Sequence, residues 1–173
     1  MLKIEKLQKE LGFKKVGQWE VLSEIKPSDS KSVWSDRKEI DHDCKLAIIT
    51  LKNALKKEEK ELLKNVIYAF VVGDNVKYIG KTTQGLLTRL RWYIFPDKNG
   101  HATNQKCNNK IFEALTNETT VEIWMFFSSQ NQKYNNEYDL NLAAGLEDGL
   151  IKLLKKTDPY CWNGQNKKNQ TEK

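Results

Sequence analysis

Hydrophobic positions recur in two different rhythms along the chain. Up to about residue 64 the sequence is lysine- and glutamate-rich with few strand signals. Leu2, Ile4, Leu7 and Leu11 mark one face of a short helix that Gly12 ends. The stretch "KPSDSKSVWSDRKE" (26–39), with its proline and serines, reads as a loop. "CKLAIITLKNALKKEEKELLKN" (44–65) reads as a helix with Leu51, Leu55 and Leu62 on one broad face.

From Val66 the rhythm shortens. "VIYAFVV" and "VKYIG" are β-rich runs around Gly73-Asp74-Asn75, a hairpin signal. A helix is predicted from about Gln84 to Ile94, stopping before Pro96, and a second over "NQKCNNKIFEALTN" (104–117). Val121, Ile123, Met125 and Phe127 alternate with Glu122 and Trp124 as in a strand. "YDLNLAAGLEDGLIKLLKKT" (138–157) is a long amphipathic helix, and the sequence from Gln165 reads as a frayed basic tail. The order β-β-α-α-β-α predicts an α/β (α+β) fold with a small antiparallel sheet of three strands between helices. The expected organisation is a helical extension (1–64), a domain (65–166) and a tail (167–173).

Composition narrows the class. The chain has 173 residues, 39% of them apolar, and no run long enough to span a bilayer. Its start lacks a signal-peptide apolar core, so a cytoplasmic protein is expected. Three scattered cysteines and two histidines leave too few ligands for a structural zinc site. A net charge of +6 favours polyanionic partners.

Candidate chemistry lies on three elements. Tyr68 and Tyr78 share one hairpin face when Gly80 stands across from Tyr68; a three-residue turn pairing Val72 with Val76 gives that register. Two readings are open: simple packing, or a hollow beside Gly80 that takes a ligand. On the next helix Leu86, Arg89, Leu90 and Tyr93 share a face, which aims Arg89 inward, where a guanidinium can bind phosphate or make a structural ion pair. Glu147 stands in the stripe Leu140, Ala143, Ala144, Leu150, Ile151 and Leu154, and a carboxylate there needs a cation. Arg89 and a metal ion are equal candidates. Asp148 falls at the edge and reads as solvated; Gly145 and Gly149 weaken the helix and admit close approach.

These residues together resemble the GIY-YIG nuclease superfamily. Val66-Ile67-Tyr68 stands where that family has Gly-Ile-Tyr, and Tyr78-Ile79-Gly80 matches its second half. Arg89 matches the family's arginine, Tyr93 its tyrosine-or-histidine position, Glu147 its late-helix glutamate, and Asn163 in "PYCWNGQN" its closing asparagine. Val66 in place of glycine is the one departure. The resemblance covers about Val66 to Asn166 and is nearest to stand-alone bacterial members.

The resemblance implies a DNA endonuclease that leaves 5′-phosphate and 3′-hydroxyl ends with one divalent ion, Mg2+ with Mn2+ as substitute, held by Glu147. It implies Arg89 for phosphorane charge and Tyr68 as general base, its phenol lowered by Arg89, Lys81 and the metal. Tyr78 and Tyr93 would position water and phosphate, and Asn163 would pin backbone. Lys81, Lys106 and Lys110 are expected against DNA phosphates. The chain's size points to a type II restriction endonuclease on double-stranded DNA, with a homodimer expected for a double-strand cut. Repair or homing nucleases, and a non-catalytic nucleic-acid-binding module, are the alternatives. "DHDC" (41–44) and Glu24-Ile25-Lys26 are weaker metal or nuclease patterns.

Overall fold

The structure is a computed structural model that describes residues 1–21, 47–51, 65–94, 102–127, 133–134, 137–139 and 141–164. Its elements in chain order are α1 (Ile4–Leu11), β1 (Lys14–Val21), β2 (Ala47–Leu51), β3 (Val66–Val72) and β4 (Asn75–Thr82). There follow α2 (Leu86–Ile94), α3 (Ala102–Thr116), β5 (Val121–Phe127), β6 (Lys133–Tyr134), β7 (Tyr138–Asp139) and α4 (Leu142–Thr157). Five strands form one antiparallel sheet in the order β2-β1-β5-β3-β4, and β6 pairs with β7 apart from it.

The α+β class and the strands β3, β4 and β5 are as the sequence predicts, but the sheet is wider than three strands. β1 pairs with β5, and β2 extends the sheet beyond it. The amino-terminal part is therefore not purely helical, and residues 47–51, read as helix, are strand. The remainder of that expected helix, the loop at 26–39, and the patterns at 24–26 and 41–44 lie outside the described residues, as does the tail.

β1 escaped the periodicity for a physical reason. Its apolar residues, Val16 and Trp19, are three apart, which in a regular strand places them on opposite faces. A bulge between Lys15 and Gly17 inserts Val16 as an extra residue and resets the parity. Both side chains then enter the same core.

The hairpin departs from expectation twice, and the departures cancel. Its turn has two residues, with Val72 opposite Asn75, and Gly73 takes φ 58°, where a Cβ is strained. A bulge at Lys77 then brings Phe70 opposite Tyr78 and Tyr68 opposite Gly80. Val76 faces one side of the sheet and Tyr78 the other.

β3 is covered on both faces, which explains its unbroken apolar run. One face carries Tyr68, Phe70 and Tyr78 against Trp19, Leu86, Leu90 and Tyr93, with Cys107 and Ile111 of α3. The other carries Ile67, Ala69 and Ile79 against α1 and against Ala143, Leu150 and Leu154 of α4. α1 ends at Gly12, φ 73°, as predicted.

β4 is an edge strand, and residues following β5 close its free side. Trp162 N donates to Lys77 O at 2.7 Å. Asn163 pairs with Ile79 as another strand would, Oδ1 accepting from N at 2.7 Å and Nδ2 donating to O at 2.5 Å. The Glu147 carboxylate accepts from Lys81 N at 3.1 Å.

Asp158, nearly buried, anchors the same turn: its Oδ2 lies 2.7 Å from Lys77 Nζ and its Oδ1 accepts from Tyr160 N at 2.9 Å. Burial pushes the carboxyl up, but the lysine and amide donors outweigh it and hold the group below its ordinary range. A folded-state pKa below the unfolded value contributes stability that is complete above about pH 4 and is lost as pH falls through the folded pKa. Asp158→Asn should lower unfolding free energy by about 1–2 kcal/mol at pH 7. In urea melts this deficit should shrink below about pH 4; a deficit independent of pH would show the pair does not titrate with folding.

Candidate active site

The tyrosine face of the hairpin is completed by one turn of α2. Arg89 and Tyr93, four apart, both reach back over the sheet. Tyr93 Oη lies 2.7 Å from Tyr68 Oη and donates to Tyr78 Oη at 2.9 Å. With that proton committed to Tyr78, Tyr68 is the donor to Tyr93, so the three hydroxyls form a directed chain. Arg89 supports it from one side: Nε donates to Tyr68 Oη at 3.1 Å and Nη2 to Tyr93 Oη at 2.9 Å. Its Cζ lies 4.6 Å from the centre of the Tyr93 ring.

Gly80 makes this arrangement possible. A Cβ there would lie 2.7 Å from Tyr68 Oη and 2.9 Å from Tyr78 Cε1, inside van der Waals contact. The missing side chain is thus occupied by the Tyr68 ring itself rather than left as a hollow.

The phenols are less acidic than usual. Burial pushes Tyr68 well up, and the Arg89 charge and hydrogen bonds only partly offset it. Tyr78 and Tyr93 are raised by the same cause. Arg89 therefore pulls Tyr68 down as expected, but without a metal, desolvation of a fully buried phenol exceeds the pull of one guanidinium. Cys107, beneath the cluster, is pushed by burial to about 12. Burial also works against the Arg89 charge, yet the surrounding tyrosine oxygens more than compensate and hold it firmly protonated.

Arg89 has no carboxylate partner among the described residues. Its third bond runs from Nη1 to Oδ1 of Asn104 at 3.0 Å. Asn104 is buried on α3, and one turn later Asn108, also buried, donates Nδ2 to Tyr93 O at 2.8 Å. Neither asparagine was a sequence candidate. The signal was there: Asn104, Cys107, Asn108 and Ile111 form an i, i+3, i+4, i+7 stripe, so two amides had to be buried with the core.

Glu147 does not meet Arg89. α4 packs on the sheet face opposite α2, and its carboxylate reaches the β4 edge at Lys81 instead. Oε1 accepts from Lys81 N, and Oε2 lies 2.8 Å from Lys81 Nζ. The half-buried acid is thus partnered by a lysine and not by Arg89, which corrects the Arg89 half of that expectation. It still flanks the cluster, because Lys81 adjoins Gly80, against which Tyr68 rests. Asp148, Gly145 and Gly149 are exposed, and no other atom lies within 4 Å of a Cβ built at either glycine.

No group of three or more His, Cys, Asp or Glu residues gathers among the described residues. The donor set at Glu147 is a single carboxylate beside a lysine whose side chain is 40% exposed and can swing away. That suits a hard cation that keeps most of its own water, such as Mg2+, and not a zinc ion. Of the other sequence candidates, Asn163 binds Ile79 as described, Lys106 is half-exposed on α3, and exposed Lys110 pairs with Glu113 at 2.7 Å.

No protein-family model and no curated protein matches the chain. Among solved structures, a mutant of bacteriophage T4 EndoII superposes with a TM-score of 0.51 at 20% identity, covering 89% of this chain and 96% of that one. The two share a fold. The restriction endonuclease HPY188I in complex with product DNA aligns at a TM-score of 0.48 and 12% identity, over 99% of this chain and 87% of that one.

Gly80→Ala tests how tightly the cluster is closed. Two fixed rings stand where the methyl must go, so unfolding free energy should fall by about 2–3 kcal/mol in urea titration. A loss below about 0.5 kcal/mol would mean that the rings retreat freely.

Proposed function

We propose that the chain is a DNA endonuclease of the GIY-YIG kind, hydrolysing phosphodiester bonds with Mg2+ and serving as a type II restriction endonuclease. The observation that carries this reading is the half-buried Arg89 charge, held by three neutral oxygens and no acid among the described residues. A guanidinium in that state is a site for an external anion, and its remaining N–H groups match a phosphate's paired oxygens. The fold shared with bacteriophage T4 EndoII and the +6 charge support DNA as the source of that phosphate.

In this reading Arg89 binds the scissile phosphate and neutralises charge that develops in the transition state. Lys81, Lys106 and Lys110 take flanking phosphates, Lys81 exchanging Glu147 for DNA. The hydroxyl chain runs from buried Tyr68 through Tyr93 to Tyr78, whose residue is 5% exposed and lies last in the chain. We place the proton acceptor in this chain at Tyr78, the least enclosed of the three, with Tyr93 holding its oxygen in line and Tyr68 supporting it from below. A phenol with a raised pKa is almost wholly protonated at neutral pH, so its ionisation must await substrate. Glu147 would hold Mg2+, which when bound polarises the phosphate and neutralises the leaving 3′ oxygen. Asn163 acts on backbone alone. One site per chain implies two copies for a duplex cut.

Plasmid DNA with Mg2+ tests the reading. Wild type should give discrete fragments, and Glu147→Ala and Arg89→Ala should each cut at least about 100-fold more slowly. Intact plasmid under conditions of normal DNA binding would refute the endonuclease. Undiminished cutting by both variants would refute the site, and a smear or branch-dependent nicking would refute the restriction role.

A further inference from the structure

We propose that Asn104 is a positioning residue for Arg89, and that its neutrality matters as much as its hydrogen bond. The inference rests on the reading of Arg89 as a phosphate site and adds what keeps that site charged and aimed.

The guanidinium carries five donors in a rigid fork. Two are fixed by tyrosines of the sheet and of its own helix, and these restrain one edge. The third bond, to Asn104, comes from α3, a different element, and holds the other terminal nitrogen of the fork, Nη1. Asn104 is itself only 5% exposed, so its amide is held by packing rather than by solvent. One turn on, Asn108 ties α3 to the α2 backbone at Tyr93 O, so the two helices cannot slide apart and carry Asn104 off Arg89.

An acid at this position would satisfy the same donor more strongly, in the bidentate geometry arginine favours. It would also cancel the charge that makes Arg89 a phosphate site. A residue retained for stability alone would gain from that exchange, whereas a residue that aims an unspent charge would fail on it. Asn104→Asp, close to isosteric, separates the two roles.

The experiment measures binding of a DNA duplex in EDTA by fluorescence anisotropy across a salt series, together with thermal melting, for wild type, Arg89→Ala, Asn104→Asp and Asn104→Ala. Asn104→Asp should melt at or above the wild-type temperature. Its slope of log affinity against log salt should be shallower by about one phosphate contact, as for Arg89→Ala. Asn104→Ala should keep the wild-type slope, because the charge remains, while kcat for cleavage falls about 10- to 100-fold as the fork loses its aim. A wild-type slope in Asn104→Asp overturns the inference, and so does an unchanged slope in Arg89→Ala, which would leave no charge to protect. If Asn104→Asp fails to fold, an Asn104→Ala protein with wild-type kcat overturns it equally. Wild-type protein that shows the Arg89-dependent slope yet never cuts DNA would instead remove the endonuclease reading and leave Asn104 in place.

Discussion

A positive charge half-removed from water, with only neutral oxygens bonded to it among the described residues, governs how this fold is assembled. Desolvating a guanidinium costs several kcal/mol unless dipoles replace the lost hydration. Arg89 receives them from three separate elements, Tyr68 from β3, Tyr93 from α2 and Asn104 from α3. Those elements must therefore dock in one register or leave a charge unsatisfied. The apolar cluster beneath supplies the cohesion, and the guanidinium selects the arrangement.

Much of that centre was legible in the sequence. Strand parity put Tyr68 and Tyr78 on one face, and the four-residue step put Arg89 over Tyr93. What escaped was whatever broke a period. The bulges at Val16 and Lys77 each shift parity by one residue, which concealed β1 and misplaced the turn while leaving Tyr68 opposite Gly80. Residues 47–51 show the opposite failure: their apolar pattern fits helix and strand alike, and sheet pairing decides.

The partner of Glu147 was beyond reach for another reason. A single helix reveals which face is apolar, but not which side of a sheet that face will meet. Once α4 covers the Ile67, Ala69 and Ile79 side, its acid can touch the site only around the β4 edge, where the first available cation is Lys81. Asn104 lay hidden in a polar stretch, where only its place in a stripe with Cys107 and Ile111 sets it apart.

The closing of β4 by Glu147, Trp162 and Asn163 bears on the order in which the site is made during translation. Residues 68 to 104 supply the polar contacts of the tyrosine-arginine centre at short sequence separation, and they leave the ribosome before residues 147 to 163. The carboxylate and the asparagine bridge 66 and 84 residues back to β4. A nascent chain can thus hold Arg89 against the tyrosines before Glu147 closes the β4 edge. Under the proposed chemistry, the young polypeptide is a nucleic-acid binder before it becomes a catalyst.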